Sequence, residues 1–191
     1  MDEKALNTLL TGVAQGNVSI ETARERLKHI SFEDIDFACI DHHRTLRKGF
    51  PEVIFGQGKT CDQIIKILER MNQEDRVLVT RIDPEKAGPI LARFGQAQYF
   101  EDARLLRIQN KPPEISGSGT ILIISAGTSD IPVAREAALT AQAMGNEVAT
   151  LFDVGVAGIH RLFAHRETIV KASVIIVAAG MEGALPSVVA G

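Results

Sequence analysis

Three short stretches concentrate the groups that can hold an anion or move a proton. Ser125-Ala126-Gly127-Thr128-Ser129-Asp130 combines hydroxyls, a carboxylate and a glycine. Asp153, Gly155, Gly158, His160 and Arg161 form a second set, with an imidazole beside a guanidinium. Gly180, Glu182 and Gly183 form a third. Imidazoles and carboxylates carry protons in general acid–base chemistry. Hydroxyls and free backbone N–H groups at a glycine turn suit a phosphate.

Each stretch follows an apolar run that can position it. Ile121 to Ile124 is mostly β-branched and uncharged, which reads as a strand buried on both faces in a parallel sheet. Ser129 or Asp130 is the natural cap of the helix that follows, and Pro132 suits its first turn. The Ala-rich run Val133 to Met144 continues that helix until Gly145-Asn146. A strand at Glu147 to Phe152, a helix from about Gly158 to Val170, a strand at Ser173 to Ala178 and a helix starting at Ala184 complete a βαβαβ pattern. Such a pattern gives a parallel sheet with right-handed crossovers, so all three turns fall on one carboxyl edge, where ligands bind in open α/β sheets. Helix capping alone would also account for Thr128, Ser129 and Asp130. Three strands are few for a doubly wound sheet, and the expectation is an incomplete domain with an unpaired edge.

The front half is organised differently. Leu6, Leu9, Leu10 and Val13 are spaced for a helix over residues 2–15, and Ser19 caps a second one over Ile20 to His29. Phe37 to Ile40, Val53 to Phe55 and Val77 to Thr80 read as strands, with helices at Cys61 to Met71 and, behind the Asp83 cap, Pro84 to Phe94. Gln98 to Phe100 and Arg104 to Ile108 read as edge strands. The prolines and glycines of Asn110 to Gly119 mark a boundary. The expected organisation is α/β: a helical hairpin over residues 1–30, a small α+β domain over 31–110, a linker over 111–120 and a parallel-sheet domain over 121–191.

Arg44, Arg47, Lys48 and Lys59 form a local basic cluster in this front half. A solvated charged face is the usual explanation for such a run, with anion binding the alternative because Lys59 also opens a helix. Gly58-Lys59-Thr60 is not the end of a phosphate-binding P-loop, because that motif needs a glycine where Val53 stands.

Composition removes several classes. The 191 residues are 45% hydrophobic and 24% charged, values of a globular chain. A net charge of −3 argues against nucleic acid or an anionic membrane as a general partner. No apolar run approaches the roughly 20 residues of a membrane span. The start is polar and acidic, and with Cys39 and Cys61 as the two cysteines the expected setting is cytoplasmic with reduced thiols. No metal site is expected, since neither cysteine has a partner at Cys-x-x-Cys spacing and His42-His43 diverge as neighbours. His160 and His165 do not share a helical face.

Ser125 to Asp130, Gly158-Ile-His160-Arg161 and Ala179-Gly180-Met-Glu182-Gly-Ala-Leu185-Pro186 resemble the three active-site turns of the PurE-like carboxylase superfamily, whose members bind a nucleotide monophosphate and place a CO2 unit on a heterocycle. The stretch from Asp41 through Arg44, Arg47, Gly49, Pro51, Glu52 and Gly56 to Gly58-Lys59 resembles LarB-type synthases of pyridinium-3,5-biscarboxylic acid mononucleotide, which start nickel-pincer nucleotide synthesis. The similarity runs from about residue 5 to the end of the chain. The purine-pathway enzymes differ in having no counterpart of residues 30–110 and no glutamate at the place of Glu182.

The resemblance implies a PurE-like αβα sheet domain and a carboxylase/hydrolase. CO2 is the co-substrate, and the ring of nicotinic acid adenine dinucleotide is carboxylated before its phosphoanhydride is cleaved to release AMP. No cofactor is bound covalently, and a magnesium ion at the hydrolysis step is left open. An electron-poor pyridinium carbon attacks CO2 only after a thiolate has added to a neighbouring carbon. The family's cysteine is expected beyond residue 191, not at Cys39 or Cys61, so the 191 residues alone are expected not to carboxylate. The implied catalytic residues are Glu182, as the base or as a group orienting CO2 or water, and His160, in proton transfer or phosphate contact. Ser125, Gly127, Thr128, Ser129 and Asp130 would hold the nucleotide, with Arg161. Asp41, Arg44, Arg47 and Lys59 would grip the pyrophosphate or the ring carboxylate. A homo-oligomer is implied as well. The competing readings are a carboxyaminoimidazole ribonucleotide mutase of purine synthesis and a non-catalytic nucleotide-binding module.

Overall fold

A computed structural model describes residues 3–28, 32–42, 44, 48–50, 52–71 and 74–191. His43, Arg47 and Pro51, singled out above, lie outside the described residues.

Helices α1 (Glu3–Ala14) and α2 (Ile20–Lys28) form the hairpin. The Ser19 hydroxyl accepts from Thr22 N at 3.1 Å, a capping contact, and Leu9 and Ala23 are buried. The run at Phe37 to Ile40 shortens to β2 (Cys39–Ile40), paired antiparallel with β1 (Glu33–Asp34). Then come β3 (Val53–Phe55), α3 (Cys61–Arg70), β4 (Arg76–Thr80), α4 (Pro84–Arg93), β5 (Ala97–Phe100) and β6 (Leu105–Gln109). Thr60 and Gln63 close a reciprocal capping box at the start of α3.

The second sheet order is β3-β4-β6-β5, with β3 parallel to β4 and the other pairs antiparallel. This corrects one expectation: β6 is internal, not an edge, and Leu105, Leu106 and Ile108 are all buried. Asp83 is a second correction. Its side chain makes no capping bond to α4 and pairs instead with Arg104.

Beyond residues 110–119, which hold no regular element, lie β7 (Thr120–Ser125), α5 (Ile131–Ala143), β8 (Glu147–Leu151), α6 (Ile159–Phe163), α7 (Arg166–Lys171), β9 (Val174–Ala178) and α8 (Ala184–Ala190). The helix expected over 158–170 is two short ones, interrupted at Ala164-His165. All pairings are parallel, in the order β8-β7-β9. With β7 first in the chain, this is the 2-1-3 order that opens a doubly wound sheet. Val174 and Ile176 on β9 remain exposed.

Strand alternation sorts the core into layers. On β4, Val77 and Val79 meet Ile64, Leu68 and Ile90 of α3 and α4. Leu78 points to the opposite face and meets Leu139 and Ala143 of α5. On β7, Ile123 meets Ala134 and Ala138 on another side of α5, whereas Leu122 and Ile124 meet Leu162 and Leu185 of α6 and α8. Helix α5 therefore lies between both sheets. Its alanines (134, 137, 138, 141 and 143) let two sheets approach one helix where larger side chains would hold them apart. The parallel sheet with helices on both faces is the expected αβα arrangement.

Candidate active site at the rim of the parallel sheet

The carboxyl ends of β7, β8 and β9 are level, because Ile124 is opposite Leu151 and Ser125 is opposite Ala178. The three turns leave the sheet together and are bonded to one another. Ala126 N donates to Ala178 O at 3.0 Å, and Val154 N donates to Ser125 O at 3.1 Å. The Ser125 hydroxyl, fully buried, accepts from Asp153 N at 3.1 Å. Asp130 accepts Gly127 N on Oδ2 and Gly180 N on Oδ1, both at 2.9 Å.

Thr128, Ser129 and Asp130 form a single 3-10 turn that leads into α5. Thr128 and Ser129 are exposed. Asp130 stands at the cap position but makes no capping bond to α5, since both carboxylate oxygens face the loops.

In the second turn Arg161 Nη1 donates to Asp153 Oδ2 at 2.5 Å. The pair needs Gly158, where a Cβ would sit 2.8 Å from Arg161 Nε, and the packing of this turn on the first needs Gly155, where a Cβ would sit 2.7 Å from Ala126 O. His160 is exposed one residue before Arg161 on α6. In the third turn Glu182 is exposed, two residues beyond Gly180, with φ +45°. Asp153 is also left-handed, at φ +58°. Non-glycine residues in this region cost about 1–3 kcal/mol and cluster where the surroundings over-determine them, often at functional sites.

The basic cluster divides. Lys59 Nζ donates to Phe55 O at 3.0 Å, at the end of β3. Asp41 N donates to Glu52 Oε2 at 2.9 Å, and the Arg44 guanidinium lies 5.2 Å from the centre of the Phe50 ring, both before β3. Phe50 and Glu52 share a small cleft with Ala143 and Met144, at the C-terminal end of α5. The rim is at the other end of α5. Thirteen residues at about 1.5 Å each separate the two by roughly 20 Å. Within one chain the structure brings Ser125, Gly127, Asp130, Asp153 and Arg161 together with the turns that carry Thr128, Ser129, His160 and Glu182. It leaves Asp41 and Arg44 at the opposite end of α5, because β3 begins where α5 finishes.

A model of the LarB/PurE-like N-terminal domain matches residues 32–111. An uncharacterized protein of Methanocaldococcus jannaschii is 40% identical over 196 aligned positions, which cover 98% of this chain and 77% of that protein. The chain belongs to the LarB/PurE-like family. Membership makes its function carboxylase-related. In this LarB/PurE-like protein the segment matched by the domain model contains β3 to β6, the sheet that packs on the face of α5 opposite the parallel sheet.

Sequence reading missed the residues that carry this backing. Arg81 Nε donates to Glu136 Oε2 at 2.8 Å, and Arg135 Nε donates to Asp102 Oδ2 at 2.7 Å. Arg76 Nη1 donates to Ala143 O at 2.6 Å. The signal was the adjacent Arg135-Glu136 in an otherwise small and apolar helix face. Among the described residues no group of three or more His, Cys, Asp or Glu side chains could hold a metal ion. Among them no helix is long and apolar enough to cross a membrane. Cys39 is exposed on β2, and Cys61 Sγ donates to Lys86 O at 3.6 Å, so neither belongs to the rim.

Proposed function

We propose that the protein takes part in the carboxylation of nicotinic acid adenine dinucleotide on its pyridinium ring, followed by hydrolysis of the phosphoanhydride to pyridinium-3,5-biscarboxylic acid mononucleotide and AMP, the entry to nickel-pincer nucleotide synthesis. The observation that carries the reading is the bonded convergence of three loops at one rim, through Asp130 to Gly180 and Ser125 to Asp153, in a chain of the LarB/PurE-like family.

On this reading Thr128 and Ser129 hold ribose and phosphate oxygens at the start of α5, where the helix dipole favours negative charge. Arg161, already oriented by Asp153, supplies the fixed cation for the phosphate, and its planar fork suits a bidentate contact. His160 moves the proton of the hydrolytic step. Once a thiolate has added to a neighbouring ring carbon and the activated carbon has bonded to CO2, Glu182 takes the proton from that carbon and the thiolate is expelled, which restores the aromatic ring; water supplies the oxygen that divides the anhydride. Lys59 is on the rim's side of the molecule; Asp41 and Arg44 are assigned no contact with the same nucleotide in the same chain.

Calorimetric titration separates this reading from the purine-pathway alternative. Nicotinic acid adenine dinucleotide binds saturably and aminoimidazole ribonucleotide does not. The opposite preference overturns the proposal.

A further inference from the structure

We propose that Ser125 and Asp130 are positioning residues that hold the three rim loops in one arrangement before a ligand arrives, the Asp130 carboxylate standing as a built-in anion between two backbone N–H groups. Each oxygen of Asp130 takes one N–H from a different loop, Gly127 from the first and Gly180 from the third. A helix start with converging N–H groups is where a phosphate would be expected. Here the chain's own carboxylate takes the two loop N–H groups beside the start of α5 and makes no bond to the helix itself.

Ser125 does the equivalent for the second loop. It is the fully buried polar side chain among the described residues, and a buried hydroxyl must be bonded. Its Oγ accepts Asp153 N and its carbonyl accepts Val154 N, so the second loop hangs on this one residue. Asp153 is thereby held left-handed, which aims its carboxylate at Arg161. The N–H groups of Gly127, Asp153 and Gly180 are thus used within the chain. An anionic ligand is left to be read by the exposed Thr128 and Ser129 and by the His160-Arg161 pair. The ligand arm of this inference rests on the proposed function; the clamp does not.

Amide hydrogen exchange on the full chain tests it, with Asp130→Ala, Asp130→Asn and Ser125→Ala. Asp130→Ala speeds exchange at Gly127 and Gly180 by about tenfold or more, the scale of a bond to a charged acceptor. Asp153 and the β7 amides stay protected, which shows that the fold is intact. Asp130→Asn, with one acceptor oxygen left, speeds only one of the two glycines. Ser125→Ala speeds Asp153 and leaves Gly180 alone. Unchanged exchange at Gly180 in both Asp130 variants overturns the clamp, whatever the ligand does. Affinity for nicotinic acid mononucleotide falls in Asp130→Ala and is partly restored in Asp130→Asn. Equal affinity in all variants despite faster exchange overturns the link between clamp and binding. No affinity even in the unaltered protein counts against the proposed function, and the clamp is then judged by exchange alone.

Discussion

Arg81 and Glu136 join the two sheets: the Arg81 Nε donates to Glu136 Oε2 at 2.8 Å, tying the end of β4 to the second turn of α5. Arg135 and Asp102 form the reciprocal pair beside it. The Arg81 side chain is 41% exposed and that of Glu136 is 19% exposed, so water screens the attraction. Partly exposed pairs contribute about 0.2–1 kcal/mol. Glu136→Ala is expected to lower stability by an amount in that range in urea unfolding. Arg81 also sits at φ +53°. Arg81→Gly should therefore cost less than Arg81→Ala, because glycine adopts this conformation without strain. Equal losses for the two would show that the backbone at Arg81 relaxes on substitution.

The second coupling is apolar. Leu139 is 4% exposed, and its cluster combines Leu78 and Leu105 of one sheet with Ala143 of α5, which is packed on the other sheet as well. Leu139→Ala is expected to cost about 2–5 kcal/mol, as other buried leucine truncations do. The consequence for cooperativity is the sharper test. With a shared core, circular dichroism and the fluorescence of Tyr99 should trace one transition in the unaltered protein. In Leu139→Ala they should separate, because Tyr99 reports the four-stranded sheet. Coincident curves in the variant would mean that the ion pairs alone keep the sheets coupled.

Much of this arrangement was legible in the residues, and the reason is local chemistry. The β-branched run at 121–124, the Gly145-Asn146 stop and the regular strand spacing all act within a few positions of themselves. The helix over 158–170 was misread because Ala164-His165 offers no glycine or proline to announce a break. The placement of β6 could not be read either, since an internal antiparallel strand and an edge strand share one pattern of alternation. At the site, the turn residues stood out by type. What Asp130 does with its two oxygens depends on Gly180, far away in sequence, and no spacing rule reaches that far. The same holds for Asp41 and Arg44. Their types suit an anion, but the direction of β3 relative to α5 decides which end of the molecule they occupy.

The Gly158 site gives a test of the phosphate cation that leaves every charge in place. A Cβ at residue 158 would meet Arg161 Nε at 2.8 Å. Gly158→Ala is expected to push the guanidinium off Asp153 and to weaken dinucleotide binding by about as much as Arg161→Ala, on the order of tenfold for one charge-assisted contact. Arg161→Lys keeps the charge without the planar fork and should recover little of it. Full affinity in Gly158→Ala would show that Arg161 does not need Asp153 to act.

Tyr99 offers a clean optical readout, as the chain has one tyrosine and no tryptophan. Burial, then the Glu101 and Asp83 carboxylates, push its phenol above the ordinary 10.0. The hydroxyl donates to Ile82 O at 3.0 Å, a bond the phenolate cannot make. The sign follows directly. The folded state holds this proton more tightly than the unfolded chain, so the contribution is complete below pH 10 and is lost as pH rises through the folded value. Absorbance titration should give a midpoint above 10, and Tyr99→Phe should flatten the fall in stability over that alkaline range. A midpoint at or below 10 would contradict the packing of Tyr99.

Glu182 is where the proposed chemistry is most exposed to refutation. It lies on the third loop at φ +45°, two residues beyond the glycine that Asp130 holds. Two roles would lead to different behaviour. If its carboxylate takes the ring proton, Glu182→Gln removes the base but keeps the shape, the backbone and the bond to Gly180. With the family's thiolate supplied in both the variant and the unaltered protein, dinucleotide affinity should then stay within about threefold, while turnover falls by the 10²–10⁴ typical of a lost general base. Deuterium at the reacting ring carbon should also be retained during incubation with the variant and washed out by the unaltered protein in ordinary water. If Glu182 serves instead to hold the loop, Glu182→Gly should do no harm, since glycine accepts this backbone conformation better than glutamate does. Turnover that survives Glu182→Gln, or washout that continues in it, would remove Glu182 from the mechanism and leave His160 as the acid–base group of the rim.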